Sequence, residues 1–394
     1  MKISSLKNLG ILFITVFIIN LMTPPPAHPA ALIDYEAIDA AMPARLTGED
    51  QYKAPEGAAR RGLLRIYAPY GYFDSMVLER FSALTGCRVK VESFQTNREM
   101  LNFFNTGRAD GFDIIIFRHM VLSHLVQGSH LSALPQWRLA HLNGVGPKFA
   151  FLGYYHGARF AVPLSWRVMG ILNHSGHHER HMEARGWGNL LAPEIHQRAV
   201  VLPDNPRFAF GIALQELGYS FDSADHNELA EAAAVIRRVS ESPLFLGFVP
   251  FNKAAALCEE GLVTIGVTSN RDASLAMRGN PELSFYTAGA RVPATADMIA
   301  IGADSRNAET ALYFIDYMLR PEIAAQNADY LHMSTANSLA LDLISPDNRD
   351  DRALYPDLEP FVQMEFLQDP AASHSVFDDY YWRLATGEHN VAIY

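Results

Sequence analysis

The chain has little cysteine: only Cys87 and Cys258 occur in 394 residues, so no disulfide framework organises it. These two lie about 170 positions apart, a spacing that leaves their pairing open. Basic charge is also short. Lys and Arg number 32 against 43 Asp and Glu, a formal net charge of −11, and no basic stripe is interleaved with aromatics. A partner made of phosphodiester needs a cationic surface, so nucleic acid is excluded. Long apolar runs are missing beyond the N-terminus, which leaves no other candidate membrane segment. There is no internal repeat and no low-complexity block. No Gly-x-Ser-x-Gly, phosphate loop or dinucleotide fingerprint occurs, so an enzyme has little support, and no cofactor is implied. His174, His177, His178 and His181 invite a zinc reading, with His177 and His181 four apart. The metalloprotease pattern would need His-Glu-x-x-His, however. The sequence offers His178-Glu179-Arg180-His181-Met182, which favours a solvated polar turn and no metal site.

What is present is apolar and foldable. Hydrophobic residues make up 49% and charged residues 19%, as expected of packed cores rather than disorder. The length suits two domains. Lys2 and Lys7 precede an apolar run from Leu9 to Met22, and small residues and prolines follow through Ala27, Ala30 and Ala31. A run this short fits a signal peptide better than a membrane span. Residues 1–31 are therefore read as an export signal and residues 32–61 as a flexible leader. No cysteine follows the run, so a lipid anchor on a mature N-terminal cysteine is not indicated.

The organising stretch is Leu63 to Phe117, which reads strand, helix, strand, helix, strand. Leu63 to Tyr67 enters a turn at Pro69 and Gly71. Asp74 is placed to cap a helix with Val77, Phe81 and Leu84 inward, closed by Gly86. Val89 and Val91 alternate with Arg88, Lys90 and Glu92 as in a strand. Asn97 is expected to cap a second helix with Met100, Leu101 and Phe104 on one face, ended by Gly107. Asp113 to Phe117 is continuously apolar after its first residue, as in a strand buried on both faces. Two crossovers of this kind predict a parallel, doubly wound sheet, whose ligands bind beyond the carboxyl ends of its strands. That puts Pro69 to Tyr72 and Arg118 to Met120 at the mouth of a site.

Further on, Phe160 to Asn173 reads as two apolar pieces joined at Pro163 to Trp166, a candidate crossing between domains. Strands are expected at Ala199 to Leu202, Leu262 to Val267 and Met298 to Ile301, the last rejoining the first sheet as a parallel strand. Helices are expected at Phe208 to Leu217, at Glu228 to Ser240 with Leu229, Ala233 and Ile236 inward, and at Asn307 to Leu319 with an amphipathic face of Leu312, Ile315 and Leu319. A terminal helix is expected around Val376 to Leu384.

Several segments have a specific counterpart. LERFSALTG followed by a strand, GFDIII, VPLSW, QELGYS, the run at 318–322, Ala336-Asn337, LYPD at 354–357 and DDYYWRL at 378–384 occur in order between Leu63 and Gly387. In these the chain resembles the periplasmic spermidine/putrescine-binding proteins, within the family-1 extracellular solute-binding proteins. The resemblance implies an α/β fold of two lobes, the type II periplasmic binding fold, each lobe a doubly wound, mostly parallel sheet with a hinge between them. Lobe one would hold 62–163 plus 296–334 and lobe two 164–295 plus 335–394. It further implies a monomer that closes on a small polyamine or other amine or zwitterion and presents it to an inner-membrane ABC permease. A sensor docking on a membrane receptor is the alternative, and a secreted enzyme or metal carrier a remote one.

In that family carboxylates hold the ammonium groups and aromatic walls hold the methylenes. Mapped here, the pattern is depleted. The first strand's exit loop becomes Pro69, Tyr70 and Gly71, with the aromatic at Tyr72 retained. The loop after the third strand is Phe117-Arg118-His119-Met120. Two acidic positions fall at Asn205 and Phe208, beside Asp204. A cleft tryptophan falls near Ser269, and a final Trp-x-Asp becomes Thr295-x-Asp297. The resemblance thus makes Asp297 the amine anchor, unless it pairs with an arginine or caps its strand. Arg118, Arg167 and Arg271 are either ligand contacts or members of ion pairs. Tyr70, Tyr72 and Trp166 either wall the cleft or belong to the core. With so few acids retained, a shorter amine or a solute of both charges is expected in preference to spermidine.

Overall fold

The computed structural model describes residues 62–106, 111–174, 186–196, 199–289, 291–356, 358 and 363–367. The export signal, the leader, most of the histidine-rich segment, Gly107 and the expected terminal helix lie outside these residues.

The chain opens with β1 (Leu63–Pro69), α1 (Ser75–Thr85), β2 (Arg88–Phe94), α2 (Asn97–Asn105) and β3 (Ile114–Arg118). β1 lies between β2 and β3 and is parallel to both. Local chemistry sets the boundaries. The Asp74 carboxylate accepts from the Met76 N–H at 3.0 Å and starts α1. Gly86 ends it at φ 70°, a left-handed conformation that suits glycine. Val77, Phe81 and Thr85 form the buried i, i+4, i+8 line. Leu84 falls off that line and is 44% exposed, contrary to expectation. The second helix is capped by Thr96, whose hydroxyl accepts from the Glu99 N–H at 3.1 Å; Asn97 is its first helical residue.

After α3 (Leu122–Gln127) and a hairpin of β4 (Tyr154–Tyr155) and β5 (Ala158–Arg159) comes β6 (Ala161–His174). This is one strand of 14 residues rather than two pieces. It is followed by α4 (Gly188–Leu191), α5 (Pro193–His196), β7 (Val200–Pro203), α6 (Pro206–Glu216), α7 (His226–Ser240), β8 (Phe245–Val249), α8 (Phe251–Glu259), β9 (Ile265–Ser269), α9 (Asn270–Gly279), β10 (Leu283–Tyr286) and β11 (Arg291–Ile301). The described chain closes with α10 (Ala308–Met318), α11 (Pro321–Leu331), β12 (Ser334–Thr335), α12 (Pro346–Arg349) and β13 (Gln363–Phe366).

The strands lie in the order β2-β1-β3-β11-β6-β9-β7-β8. β6 joins two halves: Ala161 to Val168 pairs with β11, and Met169 to Asn173 pairs with β9. β11 runs antiparallel to both β3 and β6, so the return expected at Met298 to Ile301 is present but reversed in direction. The cores divide at the same point. Val168 packs in the core around β1, β3 and β11, and Met169 in the one around β7, β9 and α6. In the second half, alternate residues go to opposite faces. Val200 and Leu202 enter one cluster, Val201 the cluster on the other side, as the two-residue period of a strand requires. The result is an α/β molecule of two lobes, with β6 running continuously from one to the other.

Some assignments shift. α6 begins at Pro206, with the exposed Asn205 as its cap, because proline at the first helical position lacks only an N–H that would be unpaired anyway. β9 begins at Ile265, and Leu262 is 56% exposed. In α7, Ala232 is fully buried and Ala233 only partly. α10 is not amphipathic: every residue from Thr310 to Met318 is buried, as in a helix enclosed by protein. Cys87 and Cys258 are both free thiols, buried in different clusters.

Candidate functional site

The site grows out of the strand register. Asp297 of β11 stands opposite Arg118 of β3 on one side and Ser165 of β6 on the other. Residues in register across a sheet share a face, and Arg167, two positions beyond Ser165, falls on that face too. The pairing of β6 with β11 slips between Asp297 and Met298, where Pro163 stands opposite Met298 and Leu164 is the extra residue. A proline beside an irregularity lacks an N–H where the ladder is already broken.

Asp297 is 3% exposed. Its Oδ2 accepts from Arg167 Nη2 at 2.8 Å and from Ser165 Oγ at 3.2 Å. Ser165 Oγ is in turn 3.2 Å from the hydroxyl of the buried Tyr72. Arg118 Nε lies 4.0 Å from Asp297 Oδ1. Burial works against the Arg167 charge, but the Asp297 carboxylate more than offsets it and the pKa of Arg167 is raised. Arg118 is pushed down to about 10, first by the charge of Arg167 and then by burial. Burial, reinforced by Asp297, raises the Tyr72 phenol well above its ordinary value, so it remains a neutral hydroxyl.

The start of α9 supplies the other charges. Ser269 caps it, accepting from the Asp272 N–H at 3.1 Å and donating to Asp272 Oδ2 at 2.8 Å. Arg271 Nη1 lies 3.4 Å from Asp272 Oδ1, and Arg271 Nε donates to the Leu331 carbonyl at 2.9 Å. Asp272 helps hold both Arg118 and Arg167 in their charged forms, and Arg271 is coupled to Arg167 and Asp297. Burial is the main cause of the lowered pKa of Arg271. Asn270 ties the two halves together at this point. Its side chain accepts from the Val168 N–H at 3.2 Å and donates to Ser334 Oγ at 3.0 Å and the Leu354 carbonyl at 2.7 Å.

The structure thus brings Tyr72, Arg118 and Asp297 together, with Ser269 and Arg271 at the adjoining helix start. The remaining candidates are placed differently. Tyr70 projects into solvent, 77% exposed. Trp166 belongs to the first core, its Nε1 donating to the Thr335 carbonyl at 2.9 Å and its ring stacked on Phe149. Phe208 packs in the second core against Phe221 and Phe251. Asp204 is exposed, and Asn205 is occupied in capping α6. Ser165 and Asp272 carry no signal in the mapping by resemblance. The Ser269-x-x-Asp272 capping pattern could have indicated Asp272, whereas Ser165 becomes part of the site only through its register with Asp297. Among the described residues no group of three or more His, Cys, Asp or Glu could hold a metal ion.

No family model matches the sequence. The chain is 26% identical over 316 residues to the spermidine/putrescine-binding periplasmic protein of Escherichia coli, covering 80% of this chain and 89% of that one. The chain is similar to the spermidine/putrescine-binding periplasmic proteins. It is also 25% identical over 315 residues to the putrescine/cadaverine-binding protein of Pseudomonas aeruginosa, with 76% and 86% covered. Among solved structures, the spermidine/putrescine ABC transporter substrate-binding protein of Streptococcus pneumoniae superposes with a TM-score of 0.73. That pair is 26% identical, over 82% of this chain and 99% of the other. The two-lobed periplasmic binding fold read from the sequence is therefore the fold of these relatives, and their named role is substrate binding for transport.

Proposed function

We propose that this chain is the periplasmic substrate-binding component of a polyamine-type ABC uptake transporter, and that it closes two lobes around a small amine-containing solute. The observation that carries the reading is the polar cluster centred on Asp297. It lies at the carboxyl end of β3, beside the point where β6 passes from one core to the other. Strand carboxyl ends at a change of topology are where open α/β sheets bind ligands. The lobes would comprise about 62–163 plus 296–334 and 164–295 plus 335–394, with an export signal over residues 1–31. The chain would act as a monomer and deliver its solute to an inner-membrane permease. Without ligand the open form is favoured; contacts that a solute makes with both lobes favour the closed form.

A thermal-shift panel of polyamines, amino acids and small carboxylates tests the reading. A ligand at 100 times its dissociation constant stabilises by about 2.7 kcal/mol. The bound protein should then be more compact in small-angle scattering. An unchanged radius of gyration, with binding demonstrated by calorimetry, would rule out the closure mechanism.

A further inference from the structure

The charges that meet around Asp297 do not balance. Arg118, Arg167 and Arg271 face Asp297 and Asp272, three cations against two anions. The distances assign the pairs. Arg167 holds Asp297 through a 2.8 Å hydrogen bond, and Arg271 leans on Asp272 at 3.4 Å and on the Leu331 carbonyl. Arg118 is left over. Among the described residues its one ion-pair contact is the 4.0 Å approach to Asp297, and its side chain remains 34% exposed. A guanidinium carries five N–H donors in a planar fork that matches a carboxylate. Tyr72 OH and Ser165 Oγ stand in the same polar row.

We infer that this site recognises a solute through a carboxylate group, which Arg118 grips, and that a bare polyamine is not its ligand. The inference rests on the solute-binding role proposed above and specifies the chemistry of the solute. Asp297, the one family acid retained at the strand ends, is already neutralised by Arg167, so an ammonium group placed there would face the guanidinium of Arg118 with no free carboxylate. A carboxylate placed against Arg118 instead brings the cluster to zero net charge. One excess positive charge matches one carboxylate, and in an amino-acid-like zwitterion the amine would have to lie away from Arg118.

Calorimetry on the purified chain with γ-aminobutyrate, L-ornithine and succinate, set against putrescine, cadaverine and spermidine, tests this. At least one carboxylate-bearing compound should bind, and every carboxylate-free amine should bind at least about 30-fold more weakly than it. Arg118→Gln should weaken the carboxylate-bearing ligand by about 30-fold or more, with Arg118→Lys intermediate because it keeps the charge and loses the fork. Arg118→Gln should melt no lower than the parent, since it removes a repulsion with Arg167, so lost binding will not reflect misfolding. Polyamine binding tighter than that of every carboxylate, or carboxylate binding indifferent to Arg118→Gln, overturns the inference and leaves the transport role standing. Absence of binding by all six compounds overturns both.

Discussion

Removing the Asp297 carboxylate should destabilise the ligand-free protein, and the size of the effect follows from its surroundings. Asp297 is 3% exposed and accepts a charged hydrogen bond from Arg167 at 2.8 Å and a neutral one from Ser165 at 3.2 Å. Breaking a buried ion pair by deleting one partner costs about 3–5 kcal/mol, because the other charge is stranded. The Arg167 side chain keeps 19% of its exposure, so it can partly rehydrate, and the lower end of that range, about 3 kcal/mol, is expected for Asp297→Ala. Arg167→Met alone leaves Asp297 with Ser165 and the distant Arg118, at a cost of about 2 kcal/mol. In the double variant no charge of this pair is stranded, so the two losses should fall short of additivity by about 2 kcal/mol. Urea denaturation of the parent, both single variants and the double variant at neutral pH measures this coupling. A stability within about 0.5 kcal/mol of the parent for Asp297→Ala, or strictly additive losses, would refute the pairing. A carboxylate standing free for an incoming ammonium group would give the opposite sign, since its deletion would relieve a buried, uncompensated charge.

Two further outcomes follow from the cores. Burial pushes His119 and His332 down to about 4, so between the ordinary histidine pKa of about 6.5 and about 4 the unfolded chain binds more protons than the folded one. Stability should be full above pH about 6.5 and fall as the pH drops through that window, by up to about 3 kcal/mol for each histidine. Urea midpoints measured from neutral pH down to about 4 check this, and an identical pH course in His119→Asn and His332→Asn would contradict it. Gly211→Ala in α6 should lower the melting temperature even though alanine is the better helix former by about 1 kcal/mol. A β-carbon at Gly211 would meet the ring of the fully buried Phe221, and overpacking costs about 1–3 kcal/mol. A melting temperature equal to or above the parent's would refute that estimate.

Much of lobe one is written locally. The caps at Asp74 and Gly86, the alternation through Val89 and Val91 and the apolar run into Phe117 each depend on neighbours within a few residues. The parallel pairing of β1 with β2 and β3 follows from them because helical crossovers leave little alternative. Periodicity was a poorer guide where surroundings are enclosed. α10 looks amphipathic by spacing, yet it is buried on all sides because other elements cover its second face. The direction of β11 was likewise unreadable, since a strand's own residues look the same in parallel and antiparallel pairing.

At the candidate site, sequence and resemblance named Asp297, Tyr72 and the three arginines as candidates, and the structure places them in one polar cluster. Sequence and resemblance could not say which charges are spent on one another. Arg167 and Asp297 are 130 positions apart and meet only because β6 and β11 pair in one register, and a slip of one residue would turn both side chains to the other face. Phe208 and Trp166 illustrate the same limit. Phe208 falls where the resemblance has an acid and Trp166 was read as either cleft wall or core, but rings that large go where the most apolar surface can be buried, and that is settled by the packing of Phe221 and Phe251 around one and Phe149 around the other. The order and type of the elements were determined by short-range chemistry. The net charge offered to a ligand was decided by tertiary contacts, because electrostatic pairing depends on distance in space and not on position along the chain.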